Sequence, residues 1–391
     1  MTISPNSARD TDNTTRVSIW IDTDEIFDVK EYAIDFDVMN LGDPFRLVIG
    51  NPDGRNSGKF SPGQLCKIYI QDPAVGGGEK LQRIIGRVTS VEYTSDMNGG
   101  EQILVGGADL GWHLQNCHAP LWRVLQGITY GQAVERFLDS SWGFQGVEFD
   151  NLRSVRLNQG RIAASQAIAR QQNFQSLIYP LQVEPGMSFA DFMVDYARRA
   201  KRFINVTADG WLVFFEPNDT GTAEYSIDYH RAQDKARTKN NVKAARVMQS
   251  IDGLYTSVIC VGQRVVADQF ANNSENQNAT KFRGTYQNTG SLPFTRLFTF
   301  ADGDQLTRAA ANDRAEWKWR RGRYESERHE YTVKAHHQGG KFWTPDTCAS
   351  VSNTVHGRSG KYYISGVRFT RTMRDGTQTQ LTVHPSGFLS A

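Results

Sequence analysis

From Val17 to about Leu110 the apolar residues fall in short alternating runs that stop at glycine, proline or asparagine. Val17, Ile19 and Ile21 form one run, and Ile34, Phe36 and Val38 another. Leu65, Ile68 and Ile70 follow Pro62 and Gly63. Ile84–Tyr93 and Ile103–Val105 flank Asn98, Gly99 and Gly100. Period two places one row of side chains on one face of a strand. An Asn-Gly step between two such runs is a strong hairpin signal. Short punctuated strands of this kind predict a small antiparallel barrel or sandwich. The 35 glycines and the abundance of Thr, Val, Tyr and Phe point the same way.

The middle of the chain changes period. Thr129 to Gln132 reads as a capping box, followed by a helical stripe of Val134, Phe137 and Leu138 that ends near Gly143. Residues Ile162–Arg170 also have helical texture. Ser188 and Asp191 form a second capping box. Phe189, Phe192, Met193, Tyr196, Ala197 and Ala200 then share one helical face. Arg198, Arg199, Lys201 and Arg202 fill the last turn, where cations suit the helix dipole. Phe203–Val206 and Trp211–Phe215 flank Asp209-Gly210, a preferred hairpin turn. Residues 226–245 are polar and predict a linker, and Ala271–Gly290 predicts a long mobile loop. Between them, Ser257–Val261 reads as a strand. Asp304–Arg321 has helix composition, with Leu306, Ala310 and Trp317 on one side. Strand texture closes the chain at Glu330–Ala335, Ala349–Val351, Tyr362–Phe369 and Thr379–Val383.

The two β regions share a pattern. Laid without gaps, Val88–Gln102 matches Ile364–Gln378 at Val91/Val367, Thr94/Thr370, Met97/Met373, Gly100/Gly376 and Gln102/Gln378. Upstream, Phe60-Ser61-Pro62 resembles Trp343-Thr344-Pro345, each followed by a strand. Two readings fit: any two hairpins with glycine turns look alike, or one barrel is duplicated at the two ends of the chain.

Sites of chemistry are sparse in the sequence. The metalloprotease, nucleophile-elbow and dinucleotide-binding motifs and a paired C-x-x-C are all missing. Gly357–Lys361 lacks the flanking glycine and hydroxyl of a phosphate loop, since Val355 and Tyr362 stand there, and a turn is expected. His113, Cys117 and His118 are close in sequence, but a fourth metal ligand is not apparent nearby. His336 and His337 are adjacent, so on a strand they point to opposite faces and do not chelate together. Asp22, Asp24 and Glu25 fit a hydrated loop better than a catalytic pair. Lys318–Arg323 is basic, but Glu325, Glu327 and Glu330 offset it, which suits a solvated face or a subunit contact. No cofactor and no metal are expected.

The formal net charge of +2 and the sequence pI near 8.3 do not advertise nucleic acid. No apolar run reaches the roughly 18 residues of a membrane span, so no membrane partner is expected. Cys66, Cys117, Cys260 and Cys348 are far apart and read as thiols in a reducing compartment. The stretch Met1–Thr15 is polar, lacks the features of a signal peptide, and is expected to be a flexible arm. These features predict synthesis and retention in a cytoplasm until assembly.

The closing third carries a resemblance. Phe342-Trp343-Thr344-Pro345 opens a strand, and Gly360-Lys361-Tyr362-Tyr363-Ile364 follows. Val367-Arg368-Phe369 comes next, and a Thr- and Leu-alternating strand from Asp375 and Gly376 ends at Pro385. This order resembles the closing signature of the Mu-type baseplate hub family, with Val383 in place of a leucine. The Ser188 helix with Asp209-Gly210-Trp211 resembles that family's middle domain. The family includes hubs of Mu-like and T-even-like phages and the first part of type VI secretion spikes. The resemblance implies a mainly β chain in which two tube-type antiparallel β-barrel domains flank a small α+β domain. The expected division is an arm at 1–15, a first barrel at 16–120, the α+β domain at 121–240, and a second barrel with helix and long loop at 241–391. The expected structural residues of the closing barrel are Trp343, Pro345, Tyr363, Val367, Phe369 and Gly376, with Ile364 and Arg368 on the outer face. The implied role is a homotrimeric, non-enzymatic ring in the virion, where a sixfold tail tube meets a threefold central spike. Its implied partners are the spike, the tube or tube initiator, the tape measure protein and other baseplate proteins, with DNA only in transit. The rival classes are a tail-associated cell-wall hydrolase and a nucleic-acid-binding tail component.

Overall fold

The computed structural model describes residues 15–96, 100–118, 130–149, 186–199, 202–234, 239–262, 282–288, 292–302 and 308–389. The predicted arm before Thr15, the turn residues Asn98 and Gly99, Thr129 of the first capping box, the Ile162–Arg170 helix and most of Ala271–Gly290 lie outside the described residues. So do Leu306, Ala200, Lys201 and the side chains of Tyr196, Arg198 and Arg199.

The chain is mainly β. Its first strands are β1 (Arg16–Ile21), β2 (Asp24–Ile26), β3 (Val29–Asp37), β4 (Pro44–Gly50), β5 (Leu65–Gln71), β6 (Lys80–Asp96) and β7 (Gly100–Asp109). Alternation does what it predicts here: Val17, Ile19, Ile21, Ile34, Ile68 and Ile70 are all buried. Helices α1 (Gly111–Asn116), α2 (Tyr130–Phe137) and α3 (Phe189–Arg199) accompany β8 (Gly146–Phe149), β9 (Phe203–Val206) and β10 (Trp211–Phe215). Ser188 caps α3 by accepting from the Asp191 amide at 3.0 Å, and its hydroxyl donates to the Asp191 carboxylate at 2.7 Å. Phe189, Phe192, Met193 and Ala197 face the small sheet β8-β10-β9 and share a core with Val134, Phe137, Leu212 and Phe214.

Strands β11 (Ala223–Tyr229) and β12 (Val242–Gln249) occupy the two ends of the predicted linker. The polarity there has a different cause. Asn241 and Asn240 accept from the amides of Asp228 and His230, at 2.9 and 2.8 Å, and so tie the connection to β11. Next come β13 (Ser257–Gly262), β14 (Phe282–Gln287), β15 (Leu297–Asp302) and α4 (Arg308–Ser326). Strand β14 corrects the predicted loop over its last third: it pairs antiparallel with β13, Cys260 opposite Gly284. Helix α4 places Ala311, Ala315 and Trp319 in one core cluster; of the expected stripe, Trp317 is buried and Ala310 is half-buried. The chain ends with β16 (Glu327–Lys334), β17 (His337–Gln338), β18 (Lys341–Phe342), β19 (Thr347–Asn353), β20 (Arg358–Thr372) and β21 (Gly376–Pro385).

Two compact units result: Met1–Ala245 with Tyr331–Thr382, and Arg246–Glu330 with Val383–Ala391. The main sheet runs β12-β16-β21-β20-β3-β4-β7-β6-β5-β1-β2, with β19 added to β20 and β11 to β19. This order contains a duplication. The path β3-β4-β7-β6-β5-β1 has the same chain order as β12-β16-β21-β20-β19-β11. Each set therefore has a first, second, third, fourth, fifth and sixth strand in the same places. Two differences stand out. The outermost pair is antiparallel in β1–β5 but parallel in β11–β19. Most of the second unit falls between β12 and β16, where the first set has only a short connection.

Candidate functional site

Of the residues singled out near the end of the chain, Trp343, Pro345, Tyr363, Val367 and Phe369 come together around β19 and β20, and Gly376 starts β21. Trp343 and Pro345 are buried just before β19, and the ring of Trp343 lies 4.7 Å from that of Tyr225. Tyr363 is buried and its hydroxyl donates to Asp346 at 2.9 Å. Val367 and Phe369 are buried as well, and Arg368 between them is exposed. Ile364, assigned to the outer face, is fully buried too. The cause is that the middle of β20 is covered on both faces, with Tyr362 to Val367 all inside.

Below Phe369 lies a polar knot that single-sequence reasoning missed. His336 is buried between the Tyr32 hydroxyl, 2.8 Å from Nε2, and the Thr379 hydroxyl, 2.8 Å from Nδ1. Burial, helped by Arg83, pushes the His336 pKa down to about 3, so the ring is neutral. Arg83 is itself buried, with its guanidinium 5.3 Å from the rings of Phe36 and Phe342 and 5.7 Å from Phe369. Burial lowers its pKa to about 10, so it stays charged. Arg83 ties β6 of the first strand set to the aromatic cluster of the second.

The other candidates stay apart. His113 stacks on Trp142 at 5.5 Å and lies 2.8 Å from the Arg87 Nε. His118 instead lies beside Gly186, 3.0 Å from its carbonyl. Asp22 sits at a turn, Asp24 is 4.0 Å from Lys59, and Glu25 accepts from Ser18 and pairs with Lys80. His337 faces Asp72 at 3.7 Å, away from His336. In the basic run of α4, Arg320 and Arg321 pair with Glu316 and Glu325, each at 2.7 Å. Among the described residues no group of three or more His, Cys, Asp and Glu is placed to hold a metal. The four cysteines are free thiols, and burial pushes Cys66 up to about 12 and Cys260 and Cys348 up to about 11.

Asp43 and Asp109 form a strongly perturbed carboxyl pair. They line a cavity with Phe36, Arg83, Asn205 and Pro345. Burial, reinforced at Asp43 by the second carboxylate, raises both pKa values, Asp109 to about 7. The folded state therefore holds a proton that the unfolded chain releases near pH 4, and the stability it supplies is lost as pH rises toward 7. Buried His113 and His336 act with the opposite sign, so the comparison must be between variants. Asp109→Asn keeps an acceptor for the Gly111 amide and removes the titration. Its stability relative to the parent should grow between pH 4 and 7 by roughly 1.4 kcal/mol for each unit of pH. Chemical unfolding of both proteins across that range tests this, and a pH-independent difference would refute it.

The two hairpins matched in sequence also match in geometry. Gly100 starts β7 at φ +71° and Gly376 starts β21 at φ +68°, the left-handed region that glycine enters freely. The Thr94 hydroxyl donates to the Gln102 carbonyl at 3.4 Å, and the Thr370 hydroxyl to the Gln378 carbonyl at 3.3 Å.

No family model and no curated protein matches the sequence. Solved structures do match. A tail protein from Neisseria meningitidis MC58 superposes with a TM-score of 0.71 at 20% identity, over 95% of this chain and 96% of that one. The 43 kDa tail protein of prophage MuSo2 from Shewanella oneidensis gives 0.68 at 16% identity, over 96% and 100%. A component of the Escherichia coli type VI secretion system, described as structurally similar to bacteriophage T4 tail proteins, gives 0.50 at 11% identity, over 93% and 75%. The chain has the fold of these phage tail proteins, a fold that extends to a type VI secretion component.

Proposed function

We propose that the chain is a structural protein of a phage tail, the baseplate hub of a contractile machine, and that it acts as a homotrimer rather than as an enzyme. The observation that carries this reading is the duplicated strand order. Three chains with two equivalent strand sets each present six similar modules, which suits a sixfold tail tube, while the trimer itself suits a threefold central spike. On this reading the two strand sets are the tube-type barrels, and the α2–α3 region between them is the middle domain. The partners are the central spike, the tail tube or its initiator, the tape measure protein and other baseplate proteins. DNA only passes through the channel, and the assembled location is the virion tail. The end-to-end likeness to two tail proteins supports the same assignment.

Light scattering of the purified protein is expected to give the mass of three chains, and negative-stain microscopy a ring with a central hole. A protein that stays monomeric from micromolar concentration up to the highest soluble concentration, alone and with its spike, would overturn the reading.

A further inference from the structure

Three aromatic rings and a carboxylate surround one ammonium group where β1, β2 and β5 lie side by side. Alternation sets the members of this cage. Ile19 pairs with Ile26 on β2 and with Ile68 on β5, and all three are buried. Their sequence neighbours therefore belong to the other face. There Glu25 stands opposite Trp20, and Tyr69 stands opposite Ser18. Phe27 follows β2 and is 66% exposed.

Lys80, the first residue of β6, reaches over this face. Its Nζ lies 4.8 Å from the ring centre of Tyr69, 5.1 Å from Trp20 and 5.5 Å from Phe27. All three distances are those of cation–π contacts. Glu25 closes the remaining side: its carboxylate pairs with Lys80 and accepts from the Ser18 hydroxyl at 2.5 Å.

A lysine is not the occupant these walls suit best. Its ammonium has three N–H donors, and among the described residues Glu25 is the acceptor it reaches. Desolvation lowers the Lys80 pKa, so holding this primary ammonium between rings has a cost. A trimethylammonium group has no N–H to satisfy and presents methyl groups to all three rings at once. Lys80 is also free to leave. The turn just before it is Gly76-Gly77-Gly78, at φ +58°, +70° and +84°, with no side chains to unpack.

We infer that Trp20, Tyr69, Phe27 and Glu25 form a binding site for a trimethylammonium ligand of the choline class, and that Lys80 is the tethered occupant which the ligand displaces. The site lies within one chain and does not depend on the trimeric reading. A tethered lysine competes at an effective concentration on the order of millimolar or above, so the parent should bind weakly and a chain without Lys80 should bind well.

The test is calorimetric titration at constant ionic strength with choline chloride, and with 3,3-dimethylbutanol as its neutral carbon isostere. Lys80→Ala should bind choline about tenfold or more tightly than the parent does. It should prefer choline to the isostere, because the rings and Glu25 read the charge. Adding Phe27→Ala, which removes a largely exposed ring, should weaken choline by about three- to fivefold with the circular dichroism unchanged. Sedimentation with phosphatidylcholine vesicles, beside phosphatidylglycerol vesicles, separates a lipid headgroup from free ligand, and either source keeps the site. A folded Lys80→Ala protein that binds choline no better than the parent, or binds the isostere equally well, would overturn the inference. Should Lys80→Ala fail to fold, amide exchange of the parent decides. Saturating choline should speed exchange at Gly76–Lys80 while the isostere does not, and unchanged exchange would overturn the site.

Discussion

Phe369→Ala should lower stability by about 3–5 kcal/mol, the range for removing a large buried ring into a site that cannot collapse. The site is rigid on every side. Phe369 is fully buried, with Phe36 at 5.6 Å, His336 at 4.4 Å and Phe342 at 6.2 Å, and Arg83 over its face. Removing the ring would also leave the Arg83 charge buried with one aromatic face fewer, which adds to the cavity cost. Gly376→Val in the adjoining turn is a control of another kind. A Cβ there meets nothing within 4 Å, so its cost is the backbone strain at φ +68° alone, of order 1–3 kcal/mol. Thermal unfolding of both variants, with solution mass measured beside it, is the check. A Phe369→Ala protein that melts like the parent would mean the ring is not part of the core.

Most of the strands were legible because two local signals coincide. Alternation fixes the face, and a glycine at positive φ fixes the turn, as at Asp209-Gly210 and Asp375-Gly376. The α3 helix was legible for the same kind of reason, since Ser188 and Asp191 announce its start. The residues that failed are those whose neighbours come from far along the chain. Ser226–Val242 looks like a linker because its polar side chains serve main-chain groups, a role that polarity alone does not reveal. Strand β14 sits in a polar run and is held by β13 and by α4, through Asn312 accepting from the Thr285 amide at 2.9 Å. On α4 the expected Trp317 is buried, but Ala311 and Ala315 were missed because alanines carry little hydropathy signal.

The candidate site was half legible. Trp343, Tyr363, Val367 and Phe369 declare themselves as large residues in strand phase. Arg83, Asp43 and Asp109 do not, because a charged residue reads as surface until the fold encloses it. Their local hints are faint: Arg83 directly precedes Ile84 and Ile85 in β6, and Asp43 precedes Pro44 at the mouth of β4. The repeat deserves more weight than its few identities suggest. A duplicated topology tolerates nearly complete sequence drift, provided that glycine at the turn and apolar residues on the buried face survive.

The second unit offers a test at the opposite extreme of size. Gly284→Ala adds a single methyl group, and in a strand that change ordinarily stabilises by restricting the unfolded chain. Here the sign should reverse. A Cβ at Gly284 would lie 2.0 Å from the Ala311 carbonyl carbon and 2.3 Å from its oxygen, because α4 rests directly on β14. The surrounding core of Val258, Cys260, Ala315 and Trp319 gives the helix no room to move, and Trp319 is further tied by its indole N–H to the Tyr255 carbonyl at 2.8 Å. A loss on the order of 3 kcal/mol is expected, the upper part of the usual range for overpacking. Shaving the opposing side chain should not rescue it, since the clash is with the main chain: Gly284→Ala with Ala311→Gly should be no more stable than Gly284→Ala alone. Amide exchange resolves where the loss falls. Protection should drop across β13, β14 and α4 and be retained in β20 and β21. If the single methyl is tolerated, or if Ala311→Gly restores stability, then α4 does not pack backbone to backbone on β14.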